Sequence, residues 1–122
     1  MIDKIERRGK GVYCFMSGLI TSKEITELND ILIEMLKDDP YEFQFCHFYD
    51  IEDFVLSTYE MREAAHRDVR VFNEHPVKKV AIVSDSPLVF GMARMYESFA
   101  HKSSAETRVF KDLKEAEIWV AD

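Results

Sequence analysis

The densest group of chemically capable side chains lies in the segment FYDIEDFVLSTYE, residues 48–60. Its carboxylates are Asp50, Glu52 and Asp53, and Asp85 follows a later apolar stretch. Acids at the carboxyl ends of neighbouring parallel strands could hold Mg²⁺. Hydrolysis or phosphoryl transfer would also need a positioned nucleophile or cation, and the chain has no GxxxxGK[ST], GxSxG or GxGxxG motif. The sequence therefore predicts neither a catalytic residue nor a metal site.

A structural use of the same residues is the favoured interpretation. The free N–H groups at the start of a helix donate hydrogen bonds to the side-chain oxygens of Asp, Ser and Thr, which act as caps. Ser57 and Glu60 have the spacing of a capping box, in which the hydroxyl and the carboxylate each bind a backbone N–H group. We therefore expect the segment to comprise the end of a strand, an acidic loop and a capped helix start.

The histidines and cysteines indicate no metal site either. The four histidines have no HxxxH or HExxH spacing, and Cys14 and Cys46 have no CxxC partner. Both cysteines lie in apolar stretches and are expected to be small buried side chains. Adjacent residues of a strand point to opposite faces, so Cys46 and His47 cannot form a nucleophilic pair. We expect His47 to be a hydrogen-bonded core or interface residue.

Composition limits the architecture and the partners. A chain of 122 residues, 47% hydrophobic with 4 Gly and 3 Pro, has the size of one compact domain over residues 1–122. No apolar run reaches membrane-spanning length and the first residues lack a signal-peptide core, so a cytoplasmic protein is expected. The net charge is −7, and residues 24–53 hold ten acids against Lys37 alone. Without a basic stripe, nucleic acid is not an expected partner.

Hydrophobic periodicity predicts strands alternating with helices. Residues 2–8 and 10–20 form an N-terminal hairpin, and further strands are expected at 41–51, 77–85 and 106–110. The helices between and after them begin at the caps Thr21, Ser57, Ser86 and Asp112. This order predicts an α/β fold: a mixed sheet of about five strands, antiparallel at the hairpin and otherwise mostly parallel, with about four helices.

Two segments carry a resemblance to a known family. VKKVAIVSDSP leads into the third helix, and ETRVFKDLKEAEIWV ends the chain. Together they resemble the SpoIIAA-like proteins, which share the STAS fold with bacterial anti-sigma-factor antagonists and are related to CRAL-TRIO lipid-transfer domains. The resemblance implies a STAS-like sheet over nearly the whole chain. Most of the matching residues are packing residues, and we expect Ala116 and Trp119 to close the core. The matching residues are Lys79 to Val83, Arg108, Val109, Phe110, Glu115, Ala116 and Trp119.

The lipid-binding relatives imply a module that binds a small apolar ligand or lipid, or that associates peripherally with a membrane surface. Because no nucleophile, base and electrophile can be placed together, we expect neither enzyme activity nor a cofactor. The sequence offers flexible methionines and Gly91 in the third helix, which suit an adaptable apolar groove or close helix packing. Phe54, in the expected loop, and Phe90, off the apolar stripe, would mark a site if exposed together. The candidate ligand-binding residues are Phe54, Phe90, Met92, Met95 and Tyr96.

The antagonist relatives imply an alternative, a regulatory domain that binds a protein partner. In them a serine at the start of a helix is phosphorylated, and Ser57 or Thr58 would be the acceptor here. Their DSSGL signature is absent, because Tyr59 and Glu60 stand where Gly and Leu would follow. The third expectation is a homodimer. Small domains with an aromatic-rich strand and a hairpin edge often bury apolar surface by dimerising.

Overall fold

The structure is a computed structural model that describes residues 1–122. Its five strands form one sheet in the order β1-β2-β3-β4-β5. β1 is antiparallel to β2, and each later pair of neighbours is parallel. The predicted fold class is therefore confirmed, as a STAS-like mixed sheet with an N-terminal hairpin and four helices. The elements are β1 (Ile2–Arg8), β2 (Gly11–Thr21), α1 (Ser22–Asp38), β3 (Phe43–Val55), α2 (Thr58–Glu74), β4 (Lys79–Val83), α3 (Pro87–Phe99), β5 (Glu106–Phe110) and α4 (Leu113–Ala121).

Two apolar clusters lie on the two faces of the sheet. The larger cluster joins α1, α2 and α3 to alternate residues of the central strands, such as Cys46 and Ile82. The smaller cluster joins α4 to the residues between them, and Ala116 is fully buried there. Trp119 is half-buried and packs its ring against Phe110 at the edge of this cluster. Alternation along the strands thus separates a three-helix face from a face covered by α4.

The predicted helix caps are confirmed. Thr21, Ser57, Ser86 and Asp112 each accept a hydrogen bond from a backbone N–H group in the first turn of the following helix. The spacing of Thr21 and Glu24 also predicts a capping box, but the Glu24 carboxylate pairs with the N-terminal ammonium at 2.7 Å instead of reaching back to the cap. No helix in the chain combines the length and the apolar character that a bilayer crossing requires.

β3 extends further than the sequence predicts, so the expected acidic loop is wrong. β2 continues alongside β3 as far as the Thr21–Val55 pair, and Asp50 and Glu52 have no counterpart on β2. These two residues are accommodated as bulges, with Asp50 at a φ of +47° and Gly18 opposite at +75°. Each bulged residue reverses the face to which the following side chains point, so two of them restore the original alternation of faces along β3. Phe54 consequently faces the three-helix side and is only 8% exposed.

Substitution of Gly18, within the bulged pairing, tests the backbone geometry of β2 and β3, and substitution of Gly91 in α3 is the control. Gly18→Ala should lower the free energy of unfolding by about 1 kcal/mol, because a side chain strains a residue with a φ of +75°. Gly91 lies on the exposed side of α3, where an added Cβ meets no atom within 4 Å, so it does not serve close helix packing. Gly91→Ala should raise stability by about 0.5–1 kcal/mol. Urea denaturation measures both, and shifts of the same sign would contradict this backbone geometry.

Candidate functional site

An apolar cavity lies between the sheet and the helices α1, α2 and α3. Its volume is about 80 Å³, and 14 of its 17 lining residues are hydrophobic. Leu32 comes from α1, Cys46 and Phe54 from β3, and Ala93 from α3. The small side chains of Cys46 and Ala93 occupy positions that larger residues would fill in a close-packed core. The cavity is therefore a consequence of side-chain size in the three-helix layer.

The cavity adjoins a polar groove between α1 and α2. The groove has a volume of about 490 Å³, and only 4 of its 12 lining residues are hydrophobic. Four residues line both spaces and form their common boundary, which we call the mouth of the cavity: Ile25, Asn29, Leu56 and Ala64.

One buried acid lines the cavity. Asp68 is 8% exposed, and the Tyr96 hydroxyl donates a hydrogen bond to its Oδ2. Burial raises the pKa of Asp68 to about 6, although the Tyr96 hydrogen bond and the charge of Arg67 oppose this shift. Arg67 does not pair with Asp68, since its guanidinium binds Asp30 at 2.5 Å. The carboxylate is therefore buried without a cationic partner.

A second polar network reaches the cavity from the start of β3. The Tyr41 hydroxyl donates to the carbonyl oxygen of Leu32 at 3.0 Å. Its oxygen must then accept from Gln44, whose Nε2 lies 2.9 Å away. This chain of bonds fixes the orientation of the Gln44 amide, with Oε1 directed away from Tyr41. Gln44 is 7% exposed and lines the same cavity as Asp68.

The structure brings together two of the five predicted ligand-binding residues. Phe54 and Tyr96 line the cavity. Met92 and Met95 pack against the larger apolar cluster but do not line the cavity. Phe54 and Phe90 do not meet the condition of joint exposure, because Phe54 is buried in a strand. Phe90 is half-buried elsewhere, about 120° from Tyr96 around α3, with the Lys111 ammonium 4.8 Å from its ring centroid.

Asp68, Gln44 and the mouth of the cavity were not predicted from the sequence. A signal for Asp68 exists, because it interrupts the buried stripe of α2 at a position between Ala65 and Phe72. A charged residue at a core position of an amphipathic helix is uncommon and indicates a special environment. Gln44 carries a weaker signal of the same kind, as a polar residue inside an otherwise apolar strand.

The residues of the segment 48–60 are largely used in folding. Ser57 Oγ accepts from the Glu60 N–H group at 3.1 Å, and Glu60 Oε1 accepts from the Ser57 N–H group at 2.9 Å. The predicted capping box is therefore confirmed. Ser57 and Thr58 are both exposed, and phosphorylation at either residue stays a prediction. No three His, Cys, Asp or Glu side chains converge in a way that could hold a metal ion.

The two cysteines and His47 lie on opposite sides of the sheet. Cys14 and Cys46 are free, buried neighbours across β2 and β3, which confirms their predicted role as small core residues. A hydrogen bond with Cys46 and burial raise the pKa of Cys14, so the thiol is a poor nucleophile. His47 is half-buried and packs its ring near Phe15 and Tyr49 rather than forming hydrogen bonds. His47 therefore has no hydrogen bond within the chain, and a role as an interface residue stays a prediction.

Asp68 makes stability depend on pH with a defined sign. Its pKa is about 6 in the fold against 3.8 in a solvated chain, so the folded protein binds the proton more tightly. The stability from this proton is complete below about pH 4 and is lost as the pH rises to 6. Between these limits, Asp68→Asn should gain roughly 2–3 kcal/mol relative to the wild type.

Urea denaturation from pH 4 to pH 8 measures this difference. The control is Asp38→Asn, which makes the same chemical change at an exposed acid that does not line the cavity. A pH-independent difference between Asp68→Asn and the wild type would contradict the burial of an uncompensated carboxylate.

Comparisons with known proteins agree with this architecture. A search of the curated proteins gave no match. A crystal structure of an uncharacterised DUF3478-family protein from Shewanella loihica PV-4, with a SpoIIAA-like fold, is 20% identical to this chain, with a TM-score of 0.50. The match covers 95% of this chain and 90% of that one, and it supports the fold. The SpoIIAA-like family model matches residues 12–121. The chain therefore belongs to the SpoIIAA-like family.

Proposed function

We propose that the protein is a non-enzymatic binding module that takes a small apolar molecule, or the apolar end of a lipid, into the cavity. The observation that carries this proposal is an apolar space of about 80 Å³ that adjoins a polar groove, and we take their common boundary as the entrance. An empty cavity costs stability at about 24 cal/mol per Å³, or about 2 kcal/mol here. An occupant that restores the missing contacts would regain part of this energy.

The size of the cavity limits the ligand. An apolar cavity of about 150 Å³ in another protein binds benzene, and the space here is about half as large. A short ligand, or the end of a chain, fits without rearrangement. A longer lipid would have to extend past Ile25 and Leu56 into the groove.

Association with a membrane surface is a further part of the proposal in the case of a lipid ligand. Leu19, Val55 and Tyr59 are 47%, 55% and 63% exposed near the junction of β3 and α2. Asp50 and Asp53 lie on β3, the same strand as Val55, and anionic lipid would repel their carboxylates. The surface therefore suits zwitterionic rather than anionic vesicles.

The second candidate function is a regulatory protein-binding domain switched by phosphorylation at Ser57 or Thr58. Both residues are exposed at the N-terminus of α2, where the helix dipole stabilises a phosphate. Phosphorylation of Ser57 would have to break its capping box, so Thr58 is the better acceptor. Mass spectrometry of protein from its native cells tests this function, and only unmodified peptide under varied growth conditions would oppose it.

Xenon under pressure tests whether the cavity accepts an apolar guest. We expect saturable NMR shifts of the Leu32 and Ile82 methyl groups, since both residues line the cavity. Ala64→Leu places a larger side chain at the mouth and should abolish these shifts. Ala121→Leu, at the exposed end of α4, is the matched control and should preserve them.

Two results would oppose the binding function. A wild type that shows no xenon-induced shifts would mean that side chains close the cavity in solution. The second opposing result comes from native mass spectrometry before and after organic extraction, if it finds no bound molecule and vesicles retain no protein.

A further inference from the structure

We propose that the cavity selects a short amphiphile whose head is a positively charged hydrogen-bond donor, a primary alkylamine, held by Asp68 Oδ1 and Gln44 Oε1. This inference rests on the proposed binding function and adds the chemical class of the ligand. Neither an apolar lining nor a fold resemblance distinguishes an amine from an alcohol or a fatty acid. The distinction comes from the few polar atoms at the cavity wall.

The first of these atoms belongs to Asp68. Only Oδ2 of its carboxylate is used within the chain, as the acceptor of the Tyr96 hydroxyl. No fully enclosed side-chain nitrogen or oxygen lacks a hydrogen-bond partner. Oδ1 therefore retains accessible surface, although the residue as a whole is only 8% exposed. Asp68 lines the cavity, and we assign the accessible surface of Oδ1 to that space.

The second atom belongs to Gln44 and follows from the same reasoning. Its Nε2 donates to Tyr41, whose own proton is committed to Leu32. The free atom is thus Oε1, an acceptor, and the amide cannot turn around without losing the bond to Tyr41. Asp68 and Gln44 both line the cavity, and each has one acceptor oxygen that no group of the chain uses. A guest that donates hydrogen bonds satisfies both.

Charge separates an ammonium from other donors. The cavity lining contains no Lys, Arg or His, so nothing there would balance a carboxylate or phosphate head. The nearest guanidinium, that of Arg67, lines the groove and is paired with Asp30. At pH 7.5 Asp68 is mostly ionised, because its pKa is about 6. A buried carboxylate without a cation is unfavourable, and a ligand ammonium supplies the missing charge.

The cavity volume sets the length of the tail. About half the volume that accommodates the six carbons of benzene corresponds to a tail of about three carbons. n-Propylamine is therefore the matched probe, and longer tails would leave through the mouth. 1-Propanol and propanoate have the same length and differ in the head, which isolates the contribution of charge and donors.

NMR titration of the full chain at pH 7.5 and constant ionic strength tests this selectivity. Methyl shifts of Leu28, Leu32 and Ile82 report the cavity, since all three residues line it. Propylamine should bind about tenfold more tightly than propanol, and propanoate should leave these methyl groups unshifted. Asp68→Asn should weaken propylamine binding about tenfold and propanol binding much less, because the amide oxygen of Asn still accepts from a hydroxyl whereas the negative charge is lost. Asp38→Asn, an exposed charge change, should alter neither.

The outcomes separate this inference from the function on which it rests. Propanoate binding as tightly as propylamine, or an unchanged propylamine affinity in Asp68→Asn, would overturn the selectivity for an amine. Propylamine shifts confined to the groove residues Glu60 and Glu63 would overturn it as well, because they indicate surface attraction. Propanol binding without propylamine binding would leave the apolar site intact and remove its proposed head group. If neither these probes nor xenon shift the methyl groups, both proposals fail. The comparison of propylamine, propanol and propanoate uses the wild type alone, so its result does not depend on whether a variant folds.

Discussion

The pairing of β2 with β3 determines where every other part of the molecule lies. Eleven residue pairs, from Gly11–Phe43 to Thr21–Val55, join these two strands, whereas β3 and β4 share five. Because consecutive side chains of a strand point to opposite faces, this register directs Cys46 toward three helices and Phe45 toward α4. Two bulged residues then restore the alternation, so that Phe54 closes the cavity instead of entering solvent. The apolar space is thus fixed by strand register before any helix packs.

Some polar side chains are used in hydrogen bonds that stabilise the fold, and others keep an oxygen without a partner. Ser57 and Glu60 satisfy each other's backbone groups, and the other caps satisfy N–H groups at their own helices. Asp68 and Gln44 behave differently, since each has one partner and one oxygen left beside an apolar space. Burial of an unpaired charge costs stability, and a core gains nothing from it. A binding role explains why these residues occupy core positions, and it makes affinity the basis of the proposed function.

The sequence predicts regular secondary-structure elements well, but it predicts poorly the features that residues distant in the chain form together. The hairpin, the caps and β5 follow from turn residues, cap chemistry and alternating apolar positions, all of which are local. The end of β3 is not predicted because Asp50 and Glu52 resemble a loop, while in the sheet they form bulges that depend on pairing with β2. The position of Phe90 is not predicted because its side of α3 depends on how the helix rotates against β5. The cavity itself arises from small side chains on different elements, which no linear pattern reveals.

The most direct measurement is a crystal structure of the protein soaked in n-propylamine. We predict electron density for the amine between the sheet and the three helices, with its nitrogen at hydrogen-bond distance from Asp68 and Gln44. The Arg67–Asp30 ion pair should remain in place beside it. A cavity filled by repacked Leu28 and Phe54 side chains, or amine bound only on the outer face of the sheet, would contradict the central claim.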